Sequence, residues 1–101
     1  MRQVNVNAYC STIENRFNEF VGHPCEETGH AVTRSIYDFI IAVAENLVEA
    51  YQVLDEIHES ALRRQTSDAG IEVLEAIYAS LYRKLPNHYN TVIFEPQGIF
   101  A

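Results

Sequence analysis

The chain has 101 residues, 48% of them hydrophobic, with 14 Asp and Glu against seven Lys and Arg and a net charge of −7. That apolar fraction is too high for a disordered chain, and the length allows a single domain, residues 1–101, with a thin core. The acidic balance argues against direct contact with nucleic acid or an anionic membrane, because both need Lys and Arg at phosphates.

The opening residues MRQVNVN carry no apolar signal core. Alternation of polar residues with Val4 and Val6 reads as a short strand or an extended N-terminal arm. A first helix is predicted over residues 8–21, because Tyr9, Ile13, Phe17 and Phe20 recur at helical spacing. Gly22 then serves as its cap, with His23 and Pro24 behind it. Two cysteines, Cys10 and Cys25, make no disulfide framework, so a cytoplasmic, soluble protein is the default expectation.

The stretch 30–69 contains no Gly and no Pro. Its polar residues Asp38, Glu45, Glu49, Gln52, Glu56, Glu59 and Arg63 are separated by steps of 7, 4, 3, 4, 3 and 4, which is one stripe on a helix. A long central helix over about 30–65 is therefore expected. Unbroken, it measures about 55 Å, so it protrudes from a small domain, breaks without Gly or Pro, or is shared between subunits. Its stripe occupies an arc of about 100°. The rest is apolar, in two ridges: Ile36, Phe39, Val43, Leu47, Ala50, Leu54, Ile57 and Ala61, then Ile40, Ala44, Val48, Tyr51 and Leu62. The chain's other helices account for one ridge, and the second points to a homodimer or another protein partner.

Tyr51, Asp55 and His58 interrupt the apolar arc at i, i+4 and i+7, and so line up on one side of the helix. Such a cluster satisfies itself internally, fixes register, reads a partner or simply meets solvent. A catalytic Asp55–His58 pair has no nucleophile beside it in sequence.

A third helix is predicted over residues 69–85, capped by Ser67 or Asp68, with Pro86 as its stop. An apolar tail follows over residues 86–101. In it a β-prone run at 91–94 precedes a Pro–Gly turn, and Ile99 and Phe100 offer a second contact. The expected class is all-α, a three-helix arrangement with arm and tail.

Two constellations bear on chemistry. Cys10, His23, Cys25 and His30 fall within 21 residues, but their spacing fits no strong zinc pattern, so neither metal nor cofactor is expected. Arg83 and His88 form an R-x4-H followed by Tyr89, which resembles the Arg–His motif of HEPN-type ribonucleases, small all-helical proteins that act on RNA at a dimer cleft. Here Pro86 falls between the two residues and the surroundings are acidic. The leading expectation is thus a non-enzymatic protein-interaction protein: an adaptor, assembly factor, chaperone or small inhibitor. Its contacts would be Ile40, Val48, Tyr51, Asp55, His58, Ile99 and Phe100. A ribonuclease or other hydrolase is one alternative. The other is a nucleic-acid mimic, whose acidic stripe (Asp38, Glu45, Glu49, Glu56, Glu59) occupies a basic groove.

Overall fold

The computed structural model describes residues 1–98, with side chains as far as residue 89. Among these residues all of the regular secondary structure is helical: α1 (Val6–Gly22), α2 (Glu26–Val43), α3 (Leu47–Arg64) and α4 (Asp68–Gly98). The all-α class is as expected, and the division into helices is not. Contacts group the chain into two compact units, one over residues 1–44 and the other beginning at Glu45.

In the first unit, Asn5 caps α1 by accepting the Ala8 N–H at 3.2 Å. The helix includes Gly22 and closes at His23, whose N–H returns to the Glu19 carbonyl. Cys25 then caps α2 in a capping box with Thr28. The rings of Tyr9 and Phe39 lie 5.4 Å apart, and a Cβ on Gly29 would touch the Phe20 ring at 3.4 Å. These two pairings run in opposite senses, so α1 and α2 form an antiparallel hairpin. Phe17, Val32, Ile36, Phe39, Ile40 and Val43 are buried.

The expected helix over 30–65 is two helices. Residues 44–46 separate α2 from α3, and Ala44 is extended, with ψ of 134°. The break requires neither Gly nor Pro because side chains cap both of its ends. Asn46 accepts the Glu49 N–H at 3.0 Å, and Glu49 reaches back to the Glu45 N–H at 2.9 Å. Asn46-Leu47-Val48-Glu49 is thus a variant of the capping box. The last carbonyls of α2 are met by the N-terminal arm. The Arg2 N–H donates to Val43 at 2.8 Å, and its guanidinium donates to Ile41 at 3.1 Å and Ala44 at 3.3 Å. Together these bonds satisfy groups that a continuous helix would have paired internally.

The second unit pairs α3 with α4. Ser67 caps α4, accepting the Gly70 N–H at 3.1 Å. Gly70 is buried in that turn, where a methyl group would lie 2.9 Å from the capping oxygen. Ala50, Val53 and Leu54 of α3 are buried, as are Leu74, Tyr78, Leu81, Leu85 and Tyr89 of α4.

The expected stop at Pro86 is also overturned. The backbone stays helical to Gly98, through the segment read as tail, β-prone run and turn. An interior Pro costs about 3 kcal/mol. Burying a large apolar side chain returns about 1.5–3 kcal/mol. Leu85 and Tyr89, buried on either side of Pro86, thus offset its cost. Ile99 and Phe100 lie outside the described residues.

Candidate functional site

A polar cluster sits on the α3–α4 seam, and its α3 half is the predicted trio. Tyr51, Asp55 and His58 line one side of α3. Glu75, Tyr78 and Tyr82, at i, i+3 and i+7, line the facing side of α4. The Tyr82 hydroxyl donates a short hydrogen bond to the Asp55 carboxylate. Its oxygen also lies 3.4 Å from His58 Nδ1, while His58 Nε2 lies 3.0 Å from Glu75 Oε1. The imidazole is stacked on the Tyr78 ring at 4.6 Å and 10°, and Tyr51 is stacked on Tyr82 at 6.3 Å. No direct Asp55–His58 bond is needed, because Tyr82 stands between them.

Proton counting defines what this chain of contacts holds. Tyr82 has one hydroxyl proton and gives it to Asp55, so towards His58 its oxygen accepts. Neutral imidazole has one N–H and can serve either Tyr82 or Glu75. Only the imidazolium form donates to both. Burial, reinforced by the bond to Asp55 and the charges around it, holds the Tyr82 phenol well above the ordinary tyrosine range. A tyrosine held in its neutral form is the opposite of an activated nucleophile or base.

The other predicted contact residues scatter. Ile40 is fully buried within the chain. Val48 is 67% exposed, more than any other large apolar residue among those described. Of the acidic stripe, Asp38 belongs to α2, and Glu49, Glu56 and Glu59 to α3, with Glu45 just ahead of it. The stripe is thus divided by the break, and only the α3 portion forms a single helix face. There Val48, Gln52, Asp55, Glu56, Glu59 and Arg63 are exposed in succession.

Cys10 is half-buried in α1 and Cys25 exposed, both as free thiols. Among the described residues, no three His, Cys, Asp or Glu side chains converge to hold a metal ion. Hydrogen bonds from Thr28, first through its side chain and then its backbone, hold the Cys25 thiol below the usual range. Arg83 and His88 are exposed on α4, and the His88 ring meets Tyr89 edge-on at 5.3 Å.

No family model, curated protein or solved structure matches this chain. Among the described residues, no helix is long and apolar enough to cross a membrane. The sequence pointed to half of the seam cluster. The complementary signal is the Glu75, Tyr78, Tyr82 spacing, which mirrors on the next helix the 4–3 step of the α3 trio as a 3–4 step.

Proposed function

We propose that this protein is a non-enzymatic, helical protein-interaction module whose contact surface is the solvent face of α3, and that it self-associates through that face. The exposure of Val48 carries this reading. A large apolar side chain left 67% exposed at the start of an otherwise acidic helix face gains by burial against a partner. The seam network supports the non-enzymatic part. Asp55, His58 and Tyr82, the side chains best suited to chemistry, are engaged with one another and with Glu75.

A second copy of the chain suits the charge distribution of α3. The helix is acidic at its start, with Glu49 in the first turn, and basic at its end, with Arg63 and Arg64. Antiparallel pairing of two α3 helices sets the arginines of one copy against Glu45 and Glu49 of the other, and covers Val48 with the aliphatic stem of Arg63. Sedimentation of the wild-type chain and of Val48→Asp tests this. A reversible dimer that the substitution abolishes supports it, and a wild-type monomer at high micromolar concentration refutes it.

A second reading rests on the exposed acids Glu45, Glu56 and Glu59. No Lys or Arg interrupts the sequence from Ser35 to Leu62, as suits a mimic of nucleic acid docking in a protein's basic groove. Charge reversal at these three positions separates the readings. Loss of a basic partner with the dimer intact favours the mimic, and loss of the dimer favours self-association.

A further inference from the structure

A second feature, independent of α3, lies along the α1–α2 hairpin. A groove of about 460 Å³ runs between the two helices. Thr12 and Arg16 line it from α1, and Glu27, His30, Arg34 and Asp38 from α2. The helix periodicity explains the gathering. His30, Arg34 and Asp38 follow one another at i, i+4 and i+8, and Glu27 precedes Arg34 by two turns on the same face. The antiparallel register, Tyr9 level with Phe39 and Phe20 level with Gly29, places Arg16 alongside the turn that carries Arg34.

Two of the seven Lys and Arg in an acidic chain thus face one groove. Arg16 is steadied by Glu19 at 3.2 Å. Arg34 lies one turn from the Asp38 carboxylate, yet neither it, Asp38 nor His30 makes a side-chain hydrogen bond or ion pair among the described residues. A guanidinium free of internal partners retains its full fork of donors for a carboxylate.

The order of charges along α2 selects the ligand. Glu27 stands at one end and Arg34 seven residues on, about 10 Å along the helix axis. Three extended residues of peptide also span about 10 Å. We infer that this groove binds a short zwitterionic peptide, with its C-terminal carboxylate on Arg34 and Arg16 and its N-terminal ammonium on Glu27. His30, between the two ends, presents a ring nitrogen to the peptide backbone. Asp38, beyond Arg34, repels the carboxylate and so sets the ligand's direction. This binding site goes beyond the α3 interaction surface and does not depend on it.

Titration of the full chain with triglycine, followed by amide chemical shifts, tests the inference. Saturable millimolar binding is expected, with shifts concentrated at Thr12, Arg16, Glu27, His30 and Arg34. Amidating the peptide, or the substitution Arg34→Gln, weakens binding about tenfold, the loss of one charge-assisted contact. Acetylating the peptide does the same, and in Glu27→Gln acetylation has no further effect. Both substituted positions are exposed, so unchanged helicity checks that the variants fold. No saturable shift, equal binding of the blocked and free peptides, or equal binding of inorganic phosphate each overturns the proposal. Phosphate binding equally well would leave a plain anion site, and glycine binding as well as triglycine would remove the case for peptide length.

Discussion

The two hairpins solve the same packing problem with different chemistry. Between α1 and α2 the seam is apolar and aromatic, built on Phe17, Ile36, Phe39 and the Tyr9 ring, and the charged groups are turned out to line a groove. Between α3 and α4 polar groups meet along the edge of the seam, where Tyr82 joins Asp55 to His58 and His58 reaches Glu75, beside the buried Leu54, Leu74, Leu81 and Leu85. An apolar seam tolerates sliding, because any apolar neighbour serves. A hydrogen-bonded seam admits one register, because a shifted Tyr82 leaves Asp55 and His58 without their partner. The polar interruption on α3 thus aligns the two helices, while the adjoining face that begins at Val48 and runs through Gln52, Glu56 and Glu59 stays exposed.

The largest expected effects lie in the cores of the two hairpins. Leu81→Ala, at a fully buried position, is expected to cost about 2–5 kcal/mol in denaturant unfolding, and Ile36→Ala in the first hairpin the same. A loss under 1 kcal/mol in either would show that the seam is not packed as described.

A smaller effect separates the two seams. Tyr82→Phe keeps the ring but strands Asp55, at a cost of about 1 kcal/mol because that carboxylate is partly solvated. Removing the Tyr9 hydroxyl, Tyr9→Phe, is expected to cost less. Equal costs would remove the distinction between the seams.

Alkaline pH tests the same bond. Because the fold raises the Tyr82 pKa, it favours the protonated phenol. That contribution is whole below the ordinary tyrosine pKa of about 10 and is lost as the pH rises through the folded-state value. Burial raises Tyr37 in the same sense. Wild-type stability should therefore fall more than that of Tyr82→Phe between about pH 9 and about pH 11. Parallel profiles would mean that the phenol is not held as described.

Asn46→Ala tests the break ahead of α3 and should cost about 1 kcal/mol, the usual value of an N-cap. If the variant gains helicity with no loss of stability, the preference for a break at 44–46 is weaker than its hydrogen bonds imply.

These comparisons also show what the sequence made legible. Helix type, a cap for α4 at Ser67 or Asp68 and the alignment of Tyr51, Asp55 and His58 follow from spacing and capping chemistry alone. The break does not, because the polar stripe keeps its 3–4 step through Glu45 and Glu49 and hides the Asn46-x-x-Glu49 cap inside a periodic run. Arg2 was illegible for a different reason: its carbonyl acceptors lie about 40 residues away in sequence. Local rules make Pro86 a stop, whereas burial of Leu85 and Tyr89 by the tertiary structure overrides them. The groove has no signature in the sequence, because Arg16 and Arg34 become neighbours only after α1 folds back on α2.

The proposed interaction surface is the solvent face of α3, and Val48 is where it is most exposed. Substituting Val48 should leave stability within about 0.5 kcal/mol of wild type, as expected of a surface position. Sedimentation equilibrium of the wild-type chain beside Val48→Asp is therefore the most direct measurement. A wild-type dimer that becomes a folded monomer on substitution is the predicted result, and a wild-type monomer, or a dimer indifferent to Val48, would contradict the account.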